Sequence, residues 1–476
     1  MNKTTAMSLR AVPLAVLLML SACATTIPEP RRPELALPAQ FPGAAADAAA
    51  DATTIPAQWW RVFGSAELDR LVEAALAGNK DITQAVARVE LADAQLREVG
   101  GALWPGVDLG GSAARTRSSG LTTNARSPSG AVGNNFRLAA STNFELDVWG
   151  KLRGADAAAR ASALASRHAR DTVRLTVAGL TVQSWIALRA IDAQVNLTRD
   201  TLRTRDEGVR VLGLRLQGGS SSGLEVEQAR VLRADVALQL IELERQRALA
   251  LSQLALLTGQ ADLRVAEPGT EALPPMPTTP AGLPSALLER RPDIQRAEQL
   301  LTAANAQIGV ARAAMFPTLS LTGLLGGESM ELATLLNAPG RIWSLAFGLS
   351  LPLFDGGRSA ARTDQATSRQ HEAVAAYQAA VAAAFKEVAD AIANVQAARR
   401  AEADLIVREE ASGRALKLAQ MRFDAGHSGY LDVLDSQRSG NAAQLDRLRN
   451  RQAQLSYSVD LLKALGGGWT AETDRQ

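Results

Sequence analysis

Residues 144–153 read Phe-Glu-Leu-Asp-Val-Trp-Gly-Lys-Leu-Arg, and residues 349–358 read Leu-Ser-Leu-Pro-Leu-Phe-Asp-Gly-Gly-Arg. In both places a stretch that alternates along its length runs into an Asp and a Gly, and a long helical stretch follows. The two places belong to two copies of one unit. Leu224-Glu225-Val226 recurs as Leu431-Asp432-Val433, and Thr258-Gly259 as Leu465-Gly466, both at a step of 207 (431 − 224 and 465 − 258). Trp104-Pro105 recurs as Phe316-Pro317 at a step of 212 (316 − 104), so one loop differs slightly in length. A period this long marks a duplicated domain rather than a solenoid of short repeats. The chain divides accordingly into a first repeat over 57–260, a Pro-rich connector over 261–285, a second repeat over 286–466 and a tail over 467–476.

Outward from the quoted stretches lie four strand candidates, two per repeat. In 136–148 the even positions are Phe136, Leu138, Ala140, Thr142, Phe144, Leu146 and Val148, with Arg137, Ala139, Ser141, Asn143, Glu145 and Asp147 between them. In 343–353 the odd positions Trp343, Leu345, Phe347, Leu349, Leu351 and Leu353 alternate with small or polar residues. Period-2 alternation puts each set on its own face of a strand. The partner strands, about 105–117 and 317–327, alternate more weakly. A half-buried sheet in a soluble protein alternates in the same way. Two features favour a membrane barrel with lipid outside and water inside. The strands are long enough to cross a bilayer at a tilt. Trp104, Trp149, Phe316 and Phe354 all fall where strands meet helices, as an interfacial aromatic girdle requires. Four strands cannot close a barrel. Two copies would give 8 strands and no open lumen, and three would give 12 with room for solutes.

The first 22 residues read as a secretory leader: Lys3 and Arg10 supply positive charge, and Ala11 to Leu20 form an apolar run too short to span a bilayer. The run ends in Leu20-Ser21-Ala22-Cys23, and Cys23 is the single cysteine of the chain, so no internal disulfide competes for it. An ordinary cleavage site fits these residues too, but Leu-Ser-Ala-Cys resembles the bacterial lipoprotein box, which implies a lipidated Cys23. Residues 23–56 are rich in Pro and Ala and read as an extended tether. Of 51 basic and 49 acidic residues, the leader takes Lys3 and Arg10, which leaves 49 against 49. That balance gives no support for nucleic acid as a partner. Beyond the leader no run approaches 18 uncharged apolar residues, so only a closed barrel could carry this chain through lipid.

Between and after the strands the composition is that of long helices. A first helix is expected from Glu67 to about Val99, interrupted at Gly78-Asn79. Residues 154–217 and 359–424 lack Pro, and each could extend ~95 Å at 1.5 Å per residue. Each ends in a Gly- or Ser-bearing tip and returns as a second helix, over 224–258 and 431–465. The apolar stripe of the first return helix (Leu238, Ile241, Leu249, Leu256) is narrow, as in coiled coils that bury a seam and keep a wet face. The tip glycines Gly218, Gly219, Gly223, Gly426 and Gly429 suit a tight turn. His168, His371 and His427 lie far apart without ligand spacing, and Gly466-Gly467-Gly468 reads as a helix stop, not a phosphate loop. No nucleophile, acid–base pair, metal cluster or cofactor motif stands out, so an enzyme has no positive support.

Arg422-Phe423-Asp424-Ala425-Gly426-His427-Ser428-Gly429-Tyr430-Leu431-Asp432-Val433-Leu434-Asp435-Ser436-Gln437-Arg438 resembles the second helical hairpin of the outer-membrane channels of tripartite efflux pumps. Glu289-Arg290-Arg291-Pro292-Asp293-Ile294, Ala313-Ala314-Met315-Phe316-Pro317, Trp59-Trp60 and Ala464-Leu465-Gly466-Gly467-Gly468-Trp469 are similar to the lipoprotein branch of that family, the NodT-like and OprM-like proteins. The resemblance covers nearly the whole mature chain. It implies an α+β membrane protein: a homotrimer with a 12-stranded outer-membrane β-barrel, four strands per chain, continued by a periplasmic α-helical barrel of hairpins. It further implies a passive duct without cofactor or metal, docked on a periplasmic adaptor and an inner-membrane pump, with the tips touching the adaptor.

The same resemblance implies that Leu431, Asp435 and Arg438 line a constricted periplasmic mouth, with Asp–Arg contacts between hairpins holding it shut. On their own, Asp432 and Asp435 fit equally a helix N-terminus that favours negative charge. In the first repeat the position equivalent to Asp435 is Gln228 (435 − 207), so an acidic constriction would come from one hairpin per chain unless Glu225 or Glu227 also faces inward. Small-molecule efflux is the expected function. Export of a polypeptide by a type I system and a non-conducting structural lipoprotein stand as alternatives, the latter disfavoured by the charges of the strands' polar face.

Overall fold

The computed structural model describes residues 55–117, 132–265, 273–277 and 287–468. The leader, Cys23, all but the last two residues of the tether, and parts of the connector and tail lie outside the described residues. The chain divides into two compact units that cut across the sequence repeats. Of the described residues, one gathers those within 88–166 and 296–377, the other those within 55–87, 167–295 and 378–468.

The first unit holds one sheet of four antiparallel strands in the order β1 (Asp108–Arg117), β2 (Val132–Leu146), β3 (Thr318–Ser329), β4 (Arg341–Ser350). Strands of the two repeats meet at β2–β3, where Phe144 faces Leu321 and Ala140 faces Leu325. The register carries alternation through all four strands. Leu109 pairs with Ala140, Ala113 with Phe136, Leu319 with Leu349, Leu321 with Phe347 and Leu325 with Trp343, and paired residues share a face. That face is apolar over most of its length, where Leu109, Leu325, Trp343, Leu345, Phe347 and Leu349 stand exposed, and carries Arg115, Arg117, Asn134 and Arg341 at the ends where β1 runs toward β2 and β3 toward β4. The other face carries Ser112, Thr116, Asn135, Arg137, Ser141, Asn143, Glu145, Ser320, Thr322, Glu328 and Ser344, interrupted by Leu324 and Ile342.

The strand boundaries differ from the expected ones for local reasons. β1 begins at Asp108 because Pro105 can donate no ladder bond. β2 begins four residues early, since Val132 to Asn135 pair with Arg117 to Ala114. It stops at Leu146 because Asp147 turns its carboxylate to the backbone N–H groups of Leu152 and Arg153, at 2.9 Å each. Asp355 does the same in the second repeat, accepting from Gly357 N and Ser359 N. The Asp of each opening stretch is thus the cap of a long helix, α3 (Lys151–Gln217) and, further on, α7 (Arg358–Asp424), each of 67 residues. A carboxylate at that end satisfies orphan N–H groups and complements the helix dipole.

The helix expected from 67 to 99 breaks, within the second unit, into two helices, α1 (Ala66–Gly78) and α2 (Lys80–Gly101). Asn79 takes an extended conformation between them. Its side-chain N–H donates to Leu257 O, and its side-chain oxygen accepts from Asp81 N and Ile82 N. Gly78 is needed there because a Cβ would lie 2.4 Å from Thr258 O. The return helices are α4 (Gly223–Thr258) and α8 (Tyr430–Ala464); the short α5 (Leu287–Arg290) and α6 (Pro292–Ala313) open the second repeat.

The core of this unit gathers Trp59, Trp60, Phe63, Val182, Trp185, Ile186, Leu254, Leu455, Val459 and Leu462. A charge network tightens it. Glu67 accepts from Trp185 Nε1 and Arg189, and the buried Asp192 takes both Arg189 and Arg247. On α4 the residues buried within the chain are Val226, Ala229, Val236, Leu243, Leu254 and Leu257, whereas the stripe expected to be a seam, Leu238, Ile241, Leu249 and Leu256, stays exposed in the single chain.

Asp460 on α8 sits half-buried, accepting from Gln183 Nε2 at 2.6 Å. Burial raises its pKa above the usual 3.8, with Glu387 adding to the rise and Lys463 and Gln183 opposing it. Folding therefore favours the protonated form. The stability this group contributes is full below the unfolded value and is lost as pH rises through the folded one. Asp460→Asn is expected to raise the thermal midpoint at pH 7 by roughly 1–3 °C, and to leave it unchanged below pH 3.8. A lower midpoint at pH 7 would mean that Lys463 outweighs burial.

Candidate functional site

The two hairpin turns are built alike. At the end of α3, Gly219 N donates to Leu216 O and Ser220 N to Arg215 O; at the end of α7, Gly426 N donates to Phe423 O and His427 N to Arg422 O. Of the five tip glycines, only Gly219 (φ +71°) and Gly426 (φ +72°) occupy the left-handed region. Gly223 is the first residue of α4, and Gly429 is an extended N-cap. The turn therefore needs two of them, and the other three have no such conformational requirement. The tips differ at their exits. Ser222 and Glu225 form a reciprocal capping box on α4, while Gly429 offers α8 no side-chain cap.

Both hairpins share a small apolar core just behind the tips. Leu212 of α3, Val226 and Ala229 of α4, and Tyr430, Val433 and Leu434 of α8 are buried together, with Leu416 and Phe423 of α7 packed on them. Tyr430 lies edge-on to Phe423 at 4.9 Å, and Arg215 stands 4.5 Å over the Phe423 ring. The carboxyl of Glu225 is held below the ordinary carboxylate range by the Ser221 hydroxyl first, then by backbone N–H groups of Ser222 and Tyr430. Glu225 thereby ties the start of α4 to the start of α8. Tyr430 and Glu225 were not singled out from sequence as joining the hairpins, although Tyr430 sits inside the recognised motif.

Beside this core, α4 and α8 flank one groove. Leu224, Glu227, Gln228 and Val231 line it from the first repeat, and Leu431, Leu434, Asp435 and Arg438 from the second. These are equivalent positions at the 207-residue step, so the groove carries an internal symmetry that is broken chemically. Leu224 matches Leu431, but Glu227 stands where the second repeat has Leu434, and Gln228 and Val231 where it has Asp435 and Arg438, so each hairpin brings one acid to the groove. Leu224 and Leu431 are 68% and 57% exposed. In the single chain Arg438 closes on Asp435 of its own helix at 2.7 Å, one turn away, and both side chains are exposed. Such a pair is worth ~0–1 kcal/mol.

Of the four aromatics at the strand–helix junctions, the structure brings two together. Trp149 stacks on Phe316 at 5.0 Å, and its indole N–H donates to Pro317 O at 2.7 Å. Trp104 and Phe354 stand apart, 77% and 92% exposed. Among the described residues no group of three His, Cys, Asp or Glu is placed to hold a metal, and no helix is long and apolar enough to cross a membrane.

The family described as outer membrane efflux protein matches the chain twice, over residues 71–260 and 283–467. The chain is 37% identical over 469 residues to the pyoverdine export outer membrane protein OpmQ of Pseudomonas aeruginosa, covering 97% of each. It is 35% identical to outer membrane protein OprJ of the same organism, over 96% of this chain and 95% of that one. Its fold superposes on the Campylobacter jejuni CmeC outer membrane channel with a TM-score of 0.83 at 28% identity, covering 93% of this chain and 96% of that one. The α+β fold of strand pairs and long helical hairpins, the outer-membrane location and the efflux role follow from that kinship. The chain belongs to the outer membrane efflux protein family.

Proposed function

We propose that three copies of this chain close into one duct through which a periplasmic adaptor and an inner-membrane pump discharge small molecules. The observation that carries the proposal is the sheet. It has an exposed face that is apolar except at Asn134, Thr142, Ser329, Arg115, Arg117 and Arg341, an opposite face that is mostly polar, and two outer edges, on β1 and β4, unpaired among the described residues. Unpaired edges are not tolerated in lipid, and the two are of equal length, 10 residues each, so the edge of one copy fits that of the next. Three such sheets give 12 strands, with the apolar face to lipid and the charged face to a wet lumen.

The exposed stripe of α4 is a seam for a neighbouring copy in this reading, and Trp104, Trp149, Phe316 and Phe354 mark the barrel's rim. Cys23 is the lipid anchor. The tips around Gly219 and Gly426, with Gly218, Gly223 and Gly429, are the surface offered to the adaptor. The pyoverdine export named for one relative favours a small-molecule cargo over a polypeptide. No side-chain constellation for covalent chemistry enters this reading, and energy comes from the pump.

In the assembled mouth Leu431, Asp435 and Arg438 form the constriction, with Arg438 exchanging its own Asp435 for an acceptor on a neighbouring hairpin. Opening is a rearrangement of the hairpins between two states. Single-channel conductance in planar bilayers tests this. The wild type is expected to conduct weakly and Asp435→Ala/Arg438→Ala several-fold more. Equal conductance would remove the gate from these residues, and silence from two well-folded preparations would remove the duct. Intact mass of the same preparations reads the lipid on Cys23, and an unmodified cysteine would end the anchor reading.

A further inference from the structure

Arg205, in the second half of α3, is only 5% exposed. Its Nη1 donates to the amide oxygen of Gln437 on α8, and its Nε meets no acceptor. Among the described residues no carboxylate pairs with it. A guanidinium keeps its charge in proteins, and a buried charge without a counter-charge is costly. Tyr430 contributes an electrostatic pull, and Glu409, the acid among the residues lining the cavity, meets Arg447 at 2.7 Å, which it shares with Glu402.

Arg205 lines a half-open cavity of about 180 Å³ between α3, α7 and α8. Two glycines stand on its wall in the middle of helices, Gly413 and Gly440, where a Cβ would meet nothing within 4 Å. Helix interiors disfavour glycine, and here its absence of a side chain keeps the space open. The wall is rich in donors. Gln437 turns its oxygen to Arg205 and Asn441 turns its oxygen to Thr201, which leaves the NH2 groups of both amides to give. Water alone would meet the hydrogen-bonding demand but not the charge.

We propose that this cavity is a binding site for a small monovalent anion, chloride in the periplasm, held by the Arg205 guanidinium and the amide NH2 groups of Gln437 and Asn441. One uncompensated positive charge calls for one negative charge, which a halide supplies at a size the cavity accepts. The anion joins α3 of the first hairpin to α7 and α8 of the second, beside Gln437 and therefore one residue from Arg438.

Bromide is the probe. Crystals of the full-length protein in detergent, soaked in bromide, are expected to show an anomalous peak within roughly 3.5 Å of the Arg205 guanidinium in every copy. The thermal midpoint should also stand about 2 °C or more higher in chloride than in gluconate at equal ionic strength. Arg205→Met is expected to abolish that difference. Should Arg205→Met not fold, Gln437→Leu, which keeps the charge and removes one donor, is expected to shrink it. A peak without any chloride-dependent midpoint would mean binding at crystal concentration only and would overturn the proposal. So would a carboxylate of a neighbouring copy seated on Arg205, or equal midpoints in the two salts.

Discussion

Gly468→Ala is expected to lower the stability of the chain by about 2–5 kcal/mol, the sum of a left-handed backbone penalty of ~1–2 and an overpacking cost of ~1–3. Gly466, Gly467 and Gly468 follow the C-terminal end of α8 with φ of +94°, +56° and +69°. A Cβ on Gly468 would stand 2.0 Å from Pro56 O and 2.7 Å from Ile55 O, and one on Gly466 would stand 2.6 Å from Arg290 O. These obstacles are backbone atoms, which cannot rotate away as a side chain can. The three glycines therefore do more than end a helix. They let the segment at 55–56 and the start of the second repeat lie flat against the chain's last turn. For a protein whose stability is of order 5–15 kcal/mol, such a loss should appear as a sharply lowered thermal midpoint and poor recovery of folded protein from membranes. Gly213→Ala on α3 is the control. Nothing lies within 4 Å of its Cβ, and its φ is not positive, so it should be neutral or slightly stabilising. If Gly468→Ala melted with the wild type, the close approach at Pro56 would not exist in the protein.

That seam shows where reading the sequence stops. The duplicated architecture was legible because its signals are long and regular: a 207-residue step, period-2 runs in the strands, and two Pro-free stretches that became helices of 67 residues each. A glycine run announces that a helix ends, but its neighbours in space, at positions 55, 56, 59, 175 and 290, are set by tertiary packing. The break at Asn79 was visible as Gly-Asn, yet its cause, a carbonyl of Thr258 nearly 180 residues away, was not. Arg205 is the sharpest case. In a helix carrying many arginines, periodicity gives no reason to bury one rather than its neighbours Arg203 or Arg210, both of which pair on the surface with acids three residues away. Leu431, Asp435 and Arg438 were legible through resemblance only, as a set of residues near the turn of the second hairpin offered as lining a mouth. Their ion pair in the single chain, internal to one turn, was not, because an i,i+3 pair and a cross-hairpin pair have the same sequence.

Arg291→Met should cost about 2–4 kcal/mol, somewhat below the usual range for breaking a buried ion pair because its partners are partly hydrated. Arg291 lies in the Glu-Arg-Arg-Pro-Asp-Ile stretch, and its neighbour Arg290 does not share its position. Its Nε and Nη2 grip the Asp293 carboxylate at 3.0 and 2.7 Å, Nη2 also meets Glu387 at 2.8 Å, and Nη1 donates to Ala464 O at 3.0 Å. One planar fork thus ties the N-terminus of α6, the middle of α7 and the last carbonyls of α8. Burial alone would push this guanidinium's pKa down, but Asp293 and Glu387 outweigh it and the value is raised. The charge is therefore present at every working pH. Arg291→Lys separates charge from geometry. A single ammonium keeps the charge but cannot reach three acceptors in a fixed plane, so its thermal midpoint should fall between the wild type and Arg291→Met. Combining Arg291→Met with Asp293→Asn should cost less than the two changes summed, because the second removes an acid the first has stranded. Additive losses, or a lysine variant as stable as the wild type, would show that Arg291 acts as packing or as a point charge rather than as a clasp.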